Sequence, residues 1–257
     1  MTDFQKPWPL WIGTRNWWVP VLAGLVLLAL LAPFDGPLSQ WALTWPQDVR
    51  AFFASITDFG LADWILWPSA VLFLATAILA RLVRWRLMAT LLRQFAVLYG
   101  FIFVGVAAPS LFTAIVKRMI GRARPEHLMD AGPFAFHPNV VGWSYQSFPS
   151  GHTTTIFALA MVIAFLSPRW FWAALALAVA VGVSRVSVQA HYPTDAIAGA
   201  YVGMLGAYGV RWVFARRGWM FAFTPEGTIA SRPLSSLRRY LALKRRGSGP
   251  KPTPARP

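Results

Sequence analysis

Cysteine is missing from all 257 residues. That excludes disulfides, zinc–thiolate sites and thiol chemistry. Acids are scarce: nine Asp and Glu stand against 24 Lys and Arg, giving a formal charge of +15. Charged residues of either sign make up 13% of the chain, whereas a soluble domain carries about a quarter. No polar domain is visible on which a basic nucleic-acid surface could be built, so DNA and RNA are excluded as partners. What is abundant is apolar: 56% of the residues are hydrophobic and 15% aromatic. High apolar content with strong basicity fits an integral membrane protein whose loops are basic.

Six apolar stretches read as transmembrane helices: residues 17–32, 62–80, 95–115, 150–166, 170–188 and 196–214. The first is short for a bilayer span and has the length of a signal-peptide core. Trp17 and Trp18 at its start and Pro33 directly after it favour an anchored span instead. Pro109 predicts a kink in the third. Ser167-Pro168-Arg169 is a very short link, so the fourth and fifth spans are expected as antiparallel neighbours. Gly199 and Gly203, four apart, permit close helix packing in the sixth. The expected fold is therefore an all-α, polytopic membrane bundle over 1–214. A basic tail follows over 215–257, partly disordered in its Pro/Gly-rich end. Within it LRRYLALKRR reads as a short amphipathic helix or a solvated basic tail.

Lysine and arginine set the orientation. Arg81, Arg84, Arg86 and Arg93 flank the link between spans two and three, and residues 211–257 hold eleven Lys and Arg against Glu226 alone. These regions and both termini are expected on the cytoplasmic side of a plasma membrane, bacterial inner membrane being the expected setting. The acid-bearing stretch 33–61, with Asp35, Asp48 and Asp58, is expected outside. One link breaks the pattern. The outer connection between spans three and four opens with Lys117, Arg118, Arg122 and Arg124, four cations in eight residues. A negatively charged ligand at the outer face accounts for them.

Three stretches share that face: KRMIGRARP (117–125), PSGH (149–152) and SRVSVQAHYPTD (184–195). Arg185 sits at the end of an apolar helix, where a charge costs about 3 kcal/mol unless it meets a partner or a polar cavity. Ser150 fits an N-cap, and the free amides behind it bind anions readily. Gly151 lets an anion approach the backbone. No G-x-S-x-G elbow occurs, which speaks against a serine hydrolase. Asp195 is placed to accept a hydrogen bond from His191 Nδ1, leaving Nε2 free to attack. His127 and His137, with Glu126 and Asp130, lack metal-ligand spacing, so no metal or other cofactor is expected. Lys117, Arg124 and Arg185 with Ser150 and Gly151 suit a phosphoryl group, whose oxygens take many donors. In that chemistry His191 attacks phosphorus, and His152 protonates the leaving oxygen and then activates water.

The same residues resemble the type 2 phosphatidic acid phosphatase superfamily, whose pattern K-x6-RP, PSGH, SR-x5-H-x3-D is matched by Lys117 with Arg124-Pro125, by 149–152, and by Ser184-Arg185 with His191 and Asp195. The resemblance implies His191 as nucleophile, His152 as acid/base, Asp195 as orienter, and Lys117, Arg124, Ser150, Gly151 and Arg185 as phosphate ligands. It implies a membrane lipid phosphate as substrate: an isoprenoid diphosphate, phosphatidic acid, phosphatidylglycerol phosphate or lipid A. A lipid phosphotransferase, a vanadium haloperoxidase and a non-catalytic lipid-phosphate carrier share parts of this pattern. A six-span membrane anchor argues against the haloperoxidase, and paired histidines argue against the carrier.

Overall fold

The computed structural model describes residues 4–7, 16–139, 142–232 and 241. Every expected span is helical. In chain order the helices are α1 (Trp18–Leu31), α2 (Asp35–Leu43), α3 (Gln47–Ile56), α4 (Asp63–Leu82), α5 (Arg86–Ile120), α6 (Leu128–Ala131), α7 (Gly151–Leu166), α8 (Phe171–Ser187) and α9 (Pro193–Arg216). Strands β1 (Phe221–Phe223) and β2 (Ile229–Ser231) form an antiparallel hairpin. The expected amphipathic helix and disordered end of the tail lie outside the described residues.

Four segments are long and apolar enough to cross a bilayer: Trp18–Leu43, Gln47–Leu82, Arg86–Ile120 and Pro168–Ser187. α7 is apolar but only 16 residues long, about 24 Å at 1.5 Å per residue. That is shorter than the ~30 Å hydrocarbon core. It is nevertheless apolar nearly all round and almost wholly buried, because α5, α8 and α9 enclose it. Its polar N-terminus is thus covered by protein and not by lipid, the condition for such backbone at membrane depth. The outer helices present the opposite surface: Leu30, Trp67 and Leu82 are each at least 66% exposed, as lipid-facing side chains are.

α5 outruns its expected 95–115 at both ends. Arg86, Arg93, Lys117 and Arg118 continue the helix beyond the apolar stretch. Its 35 residues span about 52 Å, so charged turns protrude past the core on both sides. Gly121 ends it at φ +64°, donating its N–H to the Lys117 carbonyl at 3.0 Å. A Cβ there would collide with the His137 carbonyl, so the position demands glycine twice over. Pro109 lies within a continuous α5. Its ring fits against Gly206 of α9, where a Cβ would stand 2.6 Å from Pro109 Cβ. Gly199 and Gly203 do bring α9 against α7: Cβ atoms there would strike Ser150 and Thr154 carbonyls.

Two regions differ from the sequence reading. Residues 33–61, expected as an outer loop, are mostly helical as α2, α3 and a 3₁₀ turn over Thr57–Gly60. The start of the expected tail folds into the hairpin, whose Phe221 packs into the core with Phe101 and Phe214. At that end Arg211, buried within α9, donates to the carbonyls of Phe4 and Lys6, and Ile229 N–H donates to the Gln5 carbonyl at 2.6 Å. The N-terminal segment and the hairpin therefore meet at one end of the bundle. The C-termini of α5 and α8 and the N-termini of α7 and α9 meet at the other.

Gly203→Ala is expected to destabilise the protein by about 1–3 kcal/mol, since the added methyl meets backbone atoms of Thr154 and Ala158. Gly209→Ala, with nothing within 4 Å, is the control. Thermal unfolding of both in detergent checks the difference.

Candidate active site

The site forms where four helix ends meet a folded connection. Residues 121–139 and 142–150 are tied down by backbone bonds: Ala123 to the Ala135 carbonyl at 2.9 Å, Arg124 to Ser144 at 2.8 Å, His137 to Gly121 at 2.7 Å and Ser147 to Arg122 at 3.0 Å. This holds Arg124 and Ser147 beside the N-termini of α7 and α9. Those two helices are locked together in turn, because Ser150 N–H donates to the Asp195 carbonyl at 3.0 Å.

His191 sits in the short turn between α8 and α9, 2% exposed. The Arg185 carbonyl fixes the turn by accepting from the N–H groups of Ala190 and His191 at 3.0 and 3.1 Å. The ring's Nδ1 lies 2.7 Å from the Ser147 carbonyl. A carbonyl only accepts, so Nδ1 carries the proton and the lone pair of the neutral ring is on Nε2. Burial lowers the imidazole pKa from its ordinary 6.5 to about 4, Arg124 and Arg185 pushing the same way against Asp195. At neutral pH the ring is therefore uncharged and nucleophilic at Nε2.

Here the structure corrects a detail. The expected Nδ1 bond to Asp195 is not made: the Asp195 Oδ2 is 3.8 Å away. That oxygen accepts instead from Ser147 Oγ at 2.5 Å and Tyr192 N–H at 2.8 Å. Asp195 thus holds Ser147, whose carbonyl holds His191, and its own charge remains close enough to steady an imidazolium.

Ser150 is the N-cap of α7, and its Oγ accepts from Thr153 N–H at 3.5 Å and Thr153 Oγ1 at 3.0 Å. With both lone pairs engaged, its own O–H is left to donate. The Lys117 ammonium stands over Gly151, 3.9 Å from where a Cβ would be. Arg124 donates to the carbonyls of Trp143 and Ala190, each at 3.0 Å, and lies over the Trp143 ring at 3.5 Å. Burial lowers its pKa to about 10, with Arg185 adding to the effect; it remains fully charged at neutral pH. Arg185 donates to Thr57 Oγ1 at 2.5 Å, and its Nε is buried without a partner. His152, at the first turn of α7, is within electrostatic reach of Lys117, Arg124, Arg185 and His191. All eight sequence-chosen residues therefore gather at this end of the bundle. Positive charge, helix amides and two imidazoles are grouped at one end, a set of donors chemically suited to a phosphoryl group.

Several contributors escaped the sequence reading. Arg122, counted there among cations awaiting a ligand, is instead neutralised internally. It bonds Asp35 at 2.7 Å and Asp195 at 2.6 Å, and all three are at most 3% exposed. Burial alone would lower its pKa; Asp195 and Asp35 more than reverse that and raise it. Asp35 also accepts from the N–H of Thr194 at 2.9 Å and from its hydroxyl, so α2 grips the start of α9. Gly60 makes room for His152: a Cβ there would be 2.6 Å from His152 Cβ. Nothing in the sequence of 57–60, read as part of an outer loop, signals that it meets the site. His127 and His137 flank the Tyr145 ring at 5.0 and 4.7 Å. Among the described residues no three His, Asp or Glu side chains gather to hold a metal ion.

Residues 95–219 match the model of the PAP2 superfamily. The chain is 35% identical over 212 residues to the lipid A 1-phosphatase of Rhizobium johnstonii, covering 80% of this chain and 84% of that protein. It is 35% identical over 224 residues to the lipid A 1-phosphatase of Rhizobium etli, covering 85% and 93%. Its fold is similar to the crystal structure of a transmembrane PAP2-type phosphatidylglycerolphosphate phosphatase from Bacillus subtilis, with a TM-score of 0.50 and 22% identity over 79% of this chain and 98% of that one.

Two outcomes follow from the buried charges. A histidine whose folded pKa is depressed stabilises the fold fully above its unfolded value, and that stability is lost as pH falls toward the folded value. Between pH 6.5 and 4, wild type is expected to lose up to about 3 kcal/mol more than His191→Gln, read from denaturant unfolding across that window. Arg122→Leu strands two buried carboxylates and is expected to cost about 3–5 kcal/mol; the same unfolding assay at pH 7.5 measures it.

Proposed function

The chain belongs to the PAP2 superfamily, and we propose that it is an integral membrane hydrolase that removes the 1-phosphate of lipid A through a phosphohistidine on His191. The observation that carries the reading is the oriented, uncharged His191: its Nδ1–H is committed to the Ser147 carbonyl, so Nε2 is presented to the cations. The likeness to two lipid A 1-phosphatases over most of their length supports lipid A among the lipid phosphates that the site chemistry allows.

In the first step Nε2 attacks phosphorus and the P–O bond to the lipid breaks. His152, taking up a proton as the anionic phosphoryl group offsets the cations around it, delivers that proton to the departing oxygen. Lys117, Arg124 and Arg185 take the equatorial phosphoryl oxygens, with the Ser150 hydroxyl and the first amides of α7. The phosphorylated ring becomes cationic; Asp195, 3.8 Å from Nδ1, stabilises that charge. In the second step His152 takes a proton from water, which attacks phosphorus and frees His191. An apolar cavity of about 310 Å³ adjoins these residues, lined by Thr153, Phe157, Gly182, Val186, Pro193 and Ile197 among others. It offers an acyl chain a place beside the headgroup site.

The site would face the outside of the membrane, with both termini in the cytoplasm. Arg81, Arg84, Arg86, Arg216, Arg217 and Arg232 all lie toward the opposite end, which the positive-inside rule assigns to the cytoplasm.

Purified protein in detergent with EDTA is expected to release inorganic phosphate from lipid A bearing a 1-phosphate faster than from phosphatidic acid, phosphatidylglycerol phosphate or undecaprenyl diphosphate. His191→Ala is expected to lower the rate on the order of 10³-fold or more. Release that survives this substitution would sink the mechanism. Turnover seen only with an added lipid acceptor would replace hydrolysis by transfer.

A further inference from the structure

The end of the bundle remote from His191 carries a second feature that phosphate hydrolysis does not use. Arg93 and Lys117 are both on α5, 24 residues apart, about 36 Å along the helix. Around Arg93 three cavities join. The first, an open depression of about 860 Å³, is lined by Arg216, Arg217 and Arg232 with Trp212, Gly218 and Phe223. The second, of about 280 Å³, shares Gly218 and Arg232 with it and adds Thr90, Arg93 and Val97. The third, of about 710 Å³, shares Val97 and Trp219 with the second and runs between α4, α5 and α9 past Phe73, Leu74, Gly100 and Phe103. Its lining is wholly apolar.

Among the described residues Arg93, Arg216, Arg217 and Arg232 form no ion pair with a carboxylate. Arg232 donates to the Gly218 carbonyl at 3.0 Å, and Arg216 and Arg217 lie near the Trp212 and Trp219 rings at 4.8 and 5.6 Å. The guanidinium groups are therefore held in place by the hairpin and by tryptophans while their charge stays open. Residues 233–257 add seven Lys and Arg and neither Asp nor Glu.

We infer that this basic mouth and the apolar groove behind it form a binding site for one anionic phospholipid, with the phosphate between Arg93 and Arg232 and an acyl chain along Leu74, Gly100 and Phe103. A free anion would need the cations but not a groove without polar atoms. A zwitterionic lipid would bring its own cation to a mouth that already has four. An anionic lipid matches both halves, and guanidinium is the group that forks onto phosphate oxygens. The bound lipid would tie the hairpin, which already touches α5 through Phe221 and Phe101, to α4 as well.

Native mass spectrometry of the delipidated full-length protein is the test, using phosphatidylglycerol, phosphatidylcholine of the same chains, and inorganic phosphate. One phosphatidylglycerol is expected to bind wild type at least fivefold more tightly than phosphatidylcholine. Arg93→Gln/Arg232→Gln is expected to weaken it at least fivefold while lipid phosphate hydrolysis in detergent stays within twofold. Leu74→Trp, which narrows the groove from its exposed side, is expected to weaken it as well. Equal phosphatidylglycerol affinity in wild type and both variants would overturn the site. So would equal binding of the two lipids, or displacement of phosphatidylglycerol by millimolar phosphate.

Discussion

A guanidinium clasped by two carboxylates out of reach of water holds the His191 end of this protein together. Arg122 joins Asp35 at the start of α2 to Asp195 in the first turn of α9, and Asp35 reaches past it to Thr194. Desolvating three charges is costly, and such a cluster is sustained only if nearly every lone pair and N–H finds a partner. Here they do: Asp195 accepts from Arg122, Ser147 and Tyr192, and Arg122 also donates to the Pro133 carbonyl at 3.0 Å. What the arrangement secures is direction. Asp195 positions Ser147, and the Ser147 carbonyl positions the imidazole.

The remaining charges form a deliberate contrast. Arg122 is neutralised, whereas Lys117, Arg124 and Arg185 converge on the mouth of α7 with only a distant share of Asp58, Glu126 and Asp195. Like charges so close repel, and their repulsion weighs against the folded state until an anion arrives. The scaffold opposes it with rigid donors: Arg124 is pinned by two carbonyls and a tryptophan face, Arg185 by Thr57. A site held open by its own scaffold needs little reorganisation when phosphate binds, which is the condition for electrostatic catalysis.

The sequence disclosed the helices, because apolar runs of bilayer length leave little choice, and it disclosed the eight residues at their ends. Serine before a helix, glycine after it and arginine inside an apolar run are each unusual enough to be noticed. What stayed hidden depends on contacts between distant segments. Nothing local to Asp35 says that it turns inward to Arg122 and not outward to water. No residue type announces that a backbone carbonyl, Ser147's, is the partner of His191 Nδ1. Gly60 reads as a turn residue until His152 is placed against it. The hairpin after α9 was invisible for a plainer reason: three-residue strands are below the length at which alternation can be read.

α5 and α9 run unbroken from one end of the bundle to the other, and that continuity constrains how the protein can respond to its membrane. Gly206 lies against Pro109 midway along them, and Gly199 and Gly203 press α9 onto α7. Packing this close leaves no room for sliding, since a shift of one residue would drive side chains into backbone. A displacement at the remote end, where α9 meets the hairpin and the N-terminal segment through Arg211, would have to pass along α9 as rigid-body tilt and not as local repacking. The start of α9 carries Asp195, so a tilt of this helix moves the Asp195–Ser147–His191 chain as a unit. Close packing along α9 therefore fixes its first turn, and Asp195 with it, relative to the rest of the bundle.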